Sequence, residues 1–238
     1  MMKESLLISL KVIFAVVIVY IMYDILGKNI TIIVAVTVFI LYVAYVLAFK
    51  TNYDLVLENV GDAKKYLDTI KKRYKSDENL LSLHSAYGLF YLGNTTEAFS
   101  ELNKVIFEDL KKTKHVFIYY SMKLKEDYEN ENIEQYRLHL EEMFESGVLT
   151  ILNINKDIFE APLLLLNEDY QVLWDNLMEL IPVVNKRYFI LELEYYLAIC
   201  HLKLNRLDDA YAVLEFVSNK KIEFIYVQKC KELIKEIK

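Results

Sequence analysis

The stretch from Leu193 to Phe216 reads LEYYLAICHLKLNRLDDAYAVLEF, and it contains two helical patterns separated by a short polar break. An earlier stretch, residues 84–106, reads HSAYGLFYLGNTTEAFSELNKVI and has the same organisation. The two stretches align when Ala210 is set against Ala98, so that apolar residues and breaks coincide. Self-similarity at a fixed distance is the sequence signature of a repeat architecture.

The breaks have the residues that end one helix and begin another. Gly93 stands at the first break and Asn205 at the second, and both residue types tolerate the left-handed conformation that terminates a helix. In the first stretch Asn94 follows as a helix-capping residue, with Glu97 three residues later as the partner in a capping box. Each stretch is therefore predicted to be a helix–turn–helix.

The second helix of the pattern recurs along the chain, with apolar residues at relative positions 0, 4 and 7. The five sets are Ala63/Leu67/Ile70, Ala98/Leu102/Val105, Tyr136/Leu140/Met143, Leu173/Leu177/Leu180 and Ala210/Leu214/Val217. Any amphipathic helix offers such a register, so the evidence lies in the even steps of 35, 38, 37 and 37 residues. Glycine and proline are scarce, which favours helix throughout this part.

The repeats resemble the tetratricopeptide repeat family. The resemblance implies an all-α solenoid of about five helix–turn–helix units, with residues 221–237 as a C-terminal capping helix. It also implies that small residues stand where paired helices touch, at Ala86, Ala98, Ala198 and Ala210. The units between about 115 and 183 depart most from the family pattern, because Tyr136 and Leu173 occupy its small-residue positions.

Two long apolar segments precede the repeats, at about 6–26 and 30–49. A helix of roughly 20 apolar residues crosses a bilayer core. A cleaved signal peptide is the alternative for the first segment, but its apolar run is too long and a second span follows at once. We therefore expect a two-helix transmembrane hairpin over 1–50 and a helical-repeat domain over 51–238. Lysine and arginine flank the outer ends of the hairpin, which predicts a multi-pass membrane protein with both termini in the cytoplasm.

Charge and composition argue against several classes of function. The first fifty residues hold four lysines and two acidic residues, so a whole-chain charge of −6 leaves −8 on residues 51–238. An acidic domain disfavours a nucleic-acid partner. The four histidines have no metal-ligand spacing, there is no glycine-rich phosphate loop, and Cys200 and Cys230 are expected to be free thiols. The sequence predicts no enzyme activity, no cofactor and no metal.

Nineteen tyrosines suggest a binding surface, because tyrosine is favoured at protein interfaces. By resemblance to the family, the inner groove positions fall at Tyr87, Phe90, Tyr91, Tyr195, Ile199, Leu202 and Lys203. The predicted function is a membrane-anchored adaptor or scaffold that binds a protein or peptide segment at the cytoplasmic face, with the lipid bilayer contacted through residues 6–49. The alternative is an accessory or regulatory subunit of an integral membrane complex, contacting it through the hairpin.

Overall fold

The computed structural model describes residues 62–237, which lie in the second of two compact units of the chain, residues 53–238. The described residues form eleven α-helices and one short 3-10 turn, and they contain no strand. The helices are α1 Ala63–Arg73, α2 Glu78–Leu92, α3 Thr95–Leu102, α4 Thr113–Glu129, α5 Ile133–Glu145, α6 Val148–Leu152, α7 Asp157–Leu166, α8 Tyr170–Leu180, α9 Arg187–Lys203, α10 Leu207–Ser218 and α11 Ile225–Ile237.

The membrane part of the predicted fold class requires correction. Among residues 62–237, no helix has the length and apolar character needed to cross a bilayer. This finding contradicts the predicted combination of transmembrane helices with a solenoid, and it also contradicts the predicted location as a two-span membrane protein. The predicted spans at about 6–26 and 30–49 lie outside the described residues. The described residues form an all-helical architecture, consistent with an α-solenoid.

The helices form an array with an inner and an outer layer. Four successive pairs pack as helical hairpins, namely α2 with α3, α4 with α5, α7 with α8 and α9 with α10. The first helix of each pair also contacts the first helix of the next, so that α2, α4, α7 and α9 follow one another. We call these the inner helices. The outer helices are α1, α3, α5, α8 and α10.

Each outer helix buries the face that the 0-4-7 pattern identifies. In α1, α5, α8 and α10 all three positions of the pattern are buried. In α3 the first two are buried, while Val105 follows the end of the helix and is half-buried. The remaining faces of these helices are largely exposed, as expected for helices that cover a core from one side. They carry polar and charged side chains together with apolar ones such as Val172, Met178 and Phe216.

Small residues lie at the tightest contacts between helices. Ala86, Ala98, Ala198 and Ala210 are all completely buried. Gly88 allows the closest approach, because a Cβ atom at this position would stand 2.7 Å from Leu67 Cδ2 on α1. Real Cβ contacts are longer than this, so α1 and α2 can pack at this distance only around a glycine.

The two predicted helix breaks have the expected backbone. Gly93 has φ of 96° and Asn205 has φ of 57°, so both adopt the left-handed conformation that ends a helix. The N–H of Asn94 then donates to the Leu89 carbonyl at 2.9 Å. Asn94 stands at the N-cap of α3 as predicted, although its side chain makes no capping hydrogen bond.

The last helix, α11, does more than cap the final hairpin. It contacts α9 and α10, and it also contacts α2 at the other end of the array. The ring of Phe224, just before α11, stacks on Tyr91 of α2 with centroids 5.0 Å apart and planes within 8°. The inner helices and α11 therefore contact one another in a closed circuit, from α2 through α4, α7, α9 and α11 back to α2.

Candidate functional site

The predicted groove positions on α2 lie in the core. Tyr87, Phe90 and Tyr91 are 5%, 0% and 1% exposed. Because α2 contacts α1, α3, α4 and α11, no side of this helix beyond its first turn is left for a partner. The prediction that these three rings line an open groove is therefore wrong. The sequence contains the signal, since residues 79–92 hold no aspartate, glutamate, lysine or arginine, and a helix that is apolar all round is a buried one.

The predicted groove positions on α9 are more accessible but only in part. Tyr195, Ile199 and Leu202 are half-buried, and Lys203 is exposed. The Tyr195 ring is covered by α11, because it lies 5.4 Å from the Tyr226 ring. Since the α2 positions are buried and Tyr195 is covered, the seven predicted residues do not form one open wall.

The closed centre of the array contains a buried charge pair. Lys125 of α4 contacts the Glu192 carboxylate of α9, and its Nζ lies 3.2 Å from the Tyr226 hydroxyl of α11. The Tyr196 hydroxyl donates to Glu192 Oε1 at 2.7 Å. We call Lys125, Glu192, Tyr196 and Tyr226 the ionic cluster.

The ionic cluster is enclosed by three helices. None of its four side chains is more than 7% exposed. Burial lowers the pKa of Lys125, and the Glu192 carboxylate beside it opposes that shift. A charge pair so enclosed cannot be reached by a partner without moving α11, so it serves to fix how α4, α9 and α11 pack.

A second group of polar side chains comes from α1, α2 and α4 and from Tyr74, which follows α1. The His84 ring stacks on Tyr74 with centroids 4.8 Å apart, and it meets the His115 ring edge-on at 5.2 Å. The Tyr66 hydroxyl lies 2.6 Å from His84 Nδ1. We call Tyr66, Tyr74, His84 and His115 the histidine cluster.

Both imidazoles of the histidine cluster are held neutral at physiological pH. Burial, aided by the neighbouring His115 and Arg73, lowers the pKa of His84 to about 3. Burial together with Lys114 and Lys112 lowers the pKa of His115 to about 4, against a smaller opposing effect of Asp77. Neutral imidazoles can be buried against aromatic rings at a much lower cost than charged ones.

The histidine cluster borders an open cleft of about 480 Å³, with His115 in its wall. Asp77, Asn79 and Leu80, at the start of α2, form one side of the cleft. Asp109, Lys111 and Lys112 form the other side, on the segment that leads into α4. We call this feature the His115 cleft.

The wall formed by the segment before α4 is fixed by two hydrogen bonds. The Asn79 side-chain amide donates to the Ile106 carbonyl at 3.0 Å, and the Ile106 N–H donates to Asn79 Oδ1 at 2.7 Å. These bonds join two parts of the chain 27 residues apart. These bonds hold the segment before α4 against the start of α2.

The sequence analysis did not identify this cleft, whose lining comes from two separate parts of the chain, residues 77–80 and 109–115. One signal was available. The run KKTKH at 111–115 leads into a helix with three lysines and no acidic residue. Such a run conflicts with the usual preference for acidic groups at a helix start.

The structure gives no support for a metal or redox role in the region it describes. Within residues 62–237, no group of histidine, cysteine, aspartate and glutamate side chains could hold a metal ion. Cys200 and Cys230 are buried and not bonded to each other. Burial raises the pKa of each thiol to about 12, which leaves both sulfurs protonated and unreactive.

No protein-family model, curated protein or solved structure matches this chain. The type of repeat therefore rests on the sequence resemblance, and the function rests on the chemistry of the described residues.

Proposed function

We propose that this chain is a tetratricopeptide-like helical-repeat adaptor that binds a protein or peptide segment, and that the His115 cleft receives side chains of that segment. The observation that carries the proposal is an open cleft between the starts of two adjacent inner helices. Repeat arrays bind partners on extended surfaces of this kind, built from successive units.

The cleft has the size and chemistry of a recognition pocket. Its volume of about 480 Å³ falls within the range of roughly 300–1,000 Å³ typical of ligand pockets, enough for one or two side chains. Leu80 supplies an apolar surface, and the lysines and aspartates around it supply charges of both signs. Such a mixture selects a partner by the pattern of its charges as much as by its apolar area.

The closed circuit of contacts among the inner helices and α11 favours binding at the His115 cleft over binding at the centre of the array. A partner at the centre would have to displace α11 and separate the stacked rings of Tyr91 and Phe224. It would also expose the ionic cluster, which is costly because Lys125 and Glu192 would lose buried partners. A partner at the His115 cleft disturbs none of these contacts.

Selection of peptides from a random library, with the full chain as bait, tests the proposal. We expect a consensus segment whose affinity falls about tenfold or more in Lys111→Glu, since this change reverses a charge of the cleft. The matched control is Lys231→Glu, an exposed lysine on α11 outside the cleft. If no consensus emerges, or if both variants keep the wild-type affinity, the proposed function is wrong.

A further inference from the structure

Outer helix α1 has a positively charged side opposite its buried side. The helix packs on α2 and buries the side chains of Ala63, Tyr66, Leu67 and Ile70. At about 100° per residue, its four lysines fall on the other side, and a fifth follows in the next turn. All five are exposed, and we call them the basic face: Lys64, Lys65, Lys71, Lys72 and Lys75. Residues 63–75 contain a single acidic residue, Asp68, so the charge of this face is strongly positive.

The basic face is not neutralised by the rest of the described chain. Within residues 62–237 none of its lysines forms an ion pair, whereas exposed lysines elsewhere do, as Lys156 does with Glu160 at 3.0 Å. Lys64 and Lys65 also lie in the first turn of α1, which holds no acidic residue. A cation at a helix start opposes the helix dipole, so the stability of α1 does not account for these two lysines.

Outer helix α8 has the opposite charge. Residues 157–185 contain six acidic residues and neither lysine nor arginine. Four of the six are exposed and form no ion pair within the described residues, and we call them the acidic face: Glu168, Asp169, Asp175 and Glu179. Glu179 lies in the last turn of α8, which holds no basic residue. A carboxylate there opposes the helix dipole, so the stability of α8 does not account for it either.

Apolar side chains lie beside the carboxylates of the acidic face. Val172 and Met178 are 52% and 50% exposed, and they flank Asp175 and Glu179 on the outer side of α8. A lysine suits such a surface, because its stem packs on apolar groups while its ammonium reaches a carboxylate. The two faces therefore complement each other in apolar contact as well as in charge.

The cations closest in sequence to α9 and α10 do not neutralise the acidic face. Lys203 lies over the Tyr170 ring at 5.9 Å, and Arg206 lies over the Trp174 ring at 4.7 Å. Both contacts are made to aromatic rings of α8 rather than to its carboxylates. The acidic face is thus available to a positively charged surface from outside.

We propose that the basic face of one chain binds the acidic face of a second copy. Within one chain α1 packs on α2, whereas α8 packs on α7 and α9, so the two faces are not paired with each other. Each copy carries both faces, so it can contribute either side of the contact. Neither face includes a residue of the His115 cleft, and self-association is therefore independent of the proposed peptide binding.

Chemical cross-linking tests the contact directly. A carbodiimide joins a lysine amine to a carboxylate when the two groups touch. We would mix full chains labelled with ¹⁵N and unlabelled full chains, cross-link them at low ionic strength and identify the joined peptides by mass spectrometry. Cross-links between residues 64–75 and 168–179 should contain one labelled and one unlabelled peptide. If such cross-links occur only within one isotope, or do not occur, the proposal is wrong.

Reversal of charge tests whether the two faces recognise each other. Sedimentation velocity at low ionic strength should show self-association of the wild type that added salt weakens. Lys71→Glu/Lys72→Glu and Asp175→Lys/Glu179→Lys should each raise the dissociation constant about tenfold or more. An equal mixture of the two variants should associate again, because each then supplies the charge that the other lacks. Variants that associate like the wild type, or that stay apart when mixed, would contradict the contact.

A matched control and a lipid probe complete the experiment. Lys231→Glu/Lys235→Glu makes the same change of charge at two exposed lysines of α11, and it should leave self-association unchanged. Vesicles that contain phosphatidylserine offer the basic face a different anionic partner. If Lys71→Glu/Lys72→Glu self-associates normally but loses binding to these vesicles, the basic face serves a lipid surface and the inference fails.

Discussion

The inner and outer helices of the array are built on opposite sequence patterns. Inner helix α2 is buried on almost every side and has no lysine, arginine, aspartate or glutamate from residue 79 to 92. Outer helix α10 buries Ala210, Leu214 and Val217 and exposes its acidic residues Asp208, Asp209 and Glu215. A groove-lining helix needs a polar face toward solvent, and α2 has none. Binding is therefore expected where the inner helices begin rather than along their length.

The largest predicted loss of stability comes from a change in the ionic cluster, because its charges are buried among the inner helices. Glu192→Ala leaves the Lys125 ammonium buried without its carboxylate, so we expect the free energy of unfolding to fall by roughly 3–5 kcal/mol. Urea denaturation followed by circular dichroism measures the change.

The control for this prediction is the double variant Lys125→Met/Glu192→Leu. It removes both charges, keeps similar volumes and should recover most of the lost stability. Equal losses in the single and double variants would mean that packing volume, not the unpaired charge, accounts for the effect.

Removal of an inner aromatic ring comes next in size. Tyr91→Ala deletes a ring that stacks on Phe224 and meets Tyr188 edge-on, and it should cost about 3 kcal/mol or somewhat more. On outer helix α10, Phe216 is 54% exposed, and its ring is contacted by Lys220. Phe216→Ala should cost less than about 1 kcal/mol, as expected for an exposed cation–π contact. Thermal denaturation measures the stability of both variants. Similar losses of stability in Tyr91→Ala and Phe216→Ala would contradict the difference between the inner and outer helices.

The outer layer could be predicted from the sequence because its pattern is local. The 0-4-7 register describes one face of one helix, and the burial of Tyr136/Leu140/Met143 follows from it directly. The turns at Gly93 and Asn205 are equally local, since each depends on the residue's own backbone freedom.

The closure of the inner layer depends on contacts between distant parts of the chain. Lys125 and Glu192 are 67 residues apart, and Gln228 reaches the Leu92 carbonyl over 136 residues at 3.4 Å. Periodicity shows that a helix has an apolar side but does not identify the distant helix that covers it. The α2 groove prediction failed for this reason. The His115 cleft was missed because its two walls, residues 77–80 and 109–115, are brought together only by the packing of α2 against α4.

Acid should destabilise the chain through the histidine cluster. The pKa values of His84 and His115 are lowered to about 3 and about 4 in the folded chain, against 6.5 as the reference. Below pH 6.5 the unfolded chain takes up protons that the folded chain does not, so stability falls as pH falls toward 4. At pH 5 the loss due to His84 alone is roughly 2 kcal/mol, and His115 adds to it.

Denaturation midpoints between pH 7 and 4.5, in buffer without phosphate, measure this dependence. His84→Phe removes one of the two titrating rings and keeps an aromatic surface against Tyr74. Its stability should therefore fall less steeply with acid than that of the wild type, whatever its stability at pH 7. An unchanged slope would show that His84 is not the buried neutral group described above.

A larger side chain is expected to destabilise the contact between an outer helix and an inner one. Ala210 of α10 is completely buried, so Ala210→Leu adds three carbon atoms to a filled contact and should cost roughly 1–3 kcal/mol. Ala212 lies two residues further along the same helix and is exposed. Ala212→Leu makes the same chemical change with the same helix propensity, so it should stay within about 0.5 kcal/mol of the wild type. The difference between the two melting temperatures isolates packing from propensity. Equal melting temperatures would mean that α10 can shift outward to accept a larger side chain, and that the two layers are less tightly joined than the burial of Ala210 indicates.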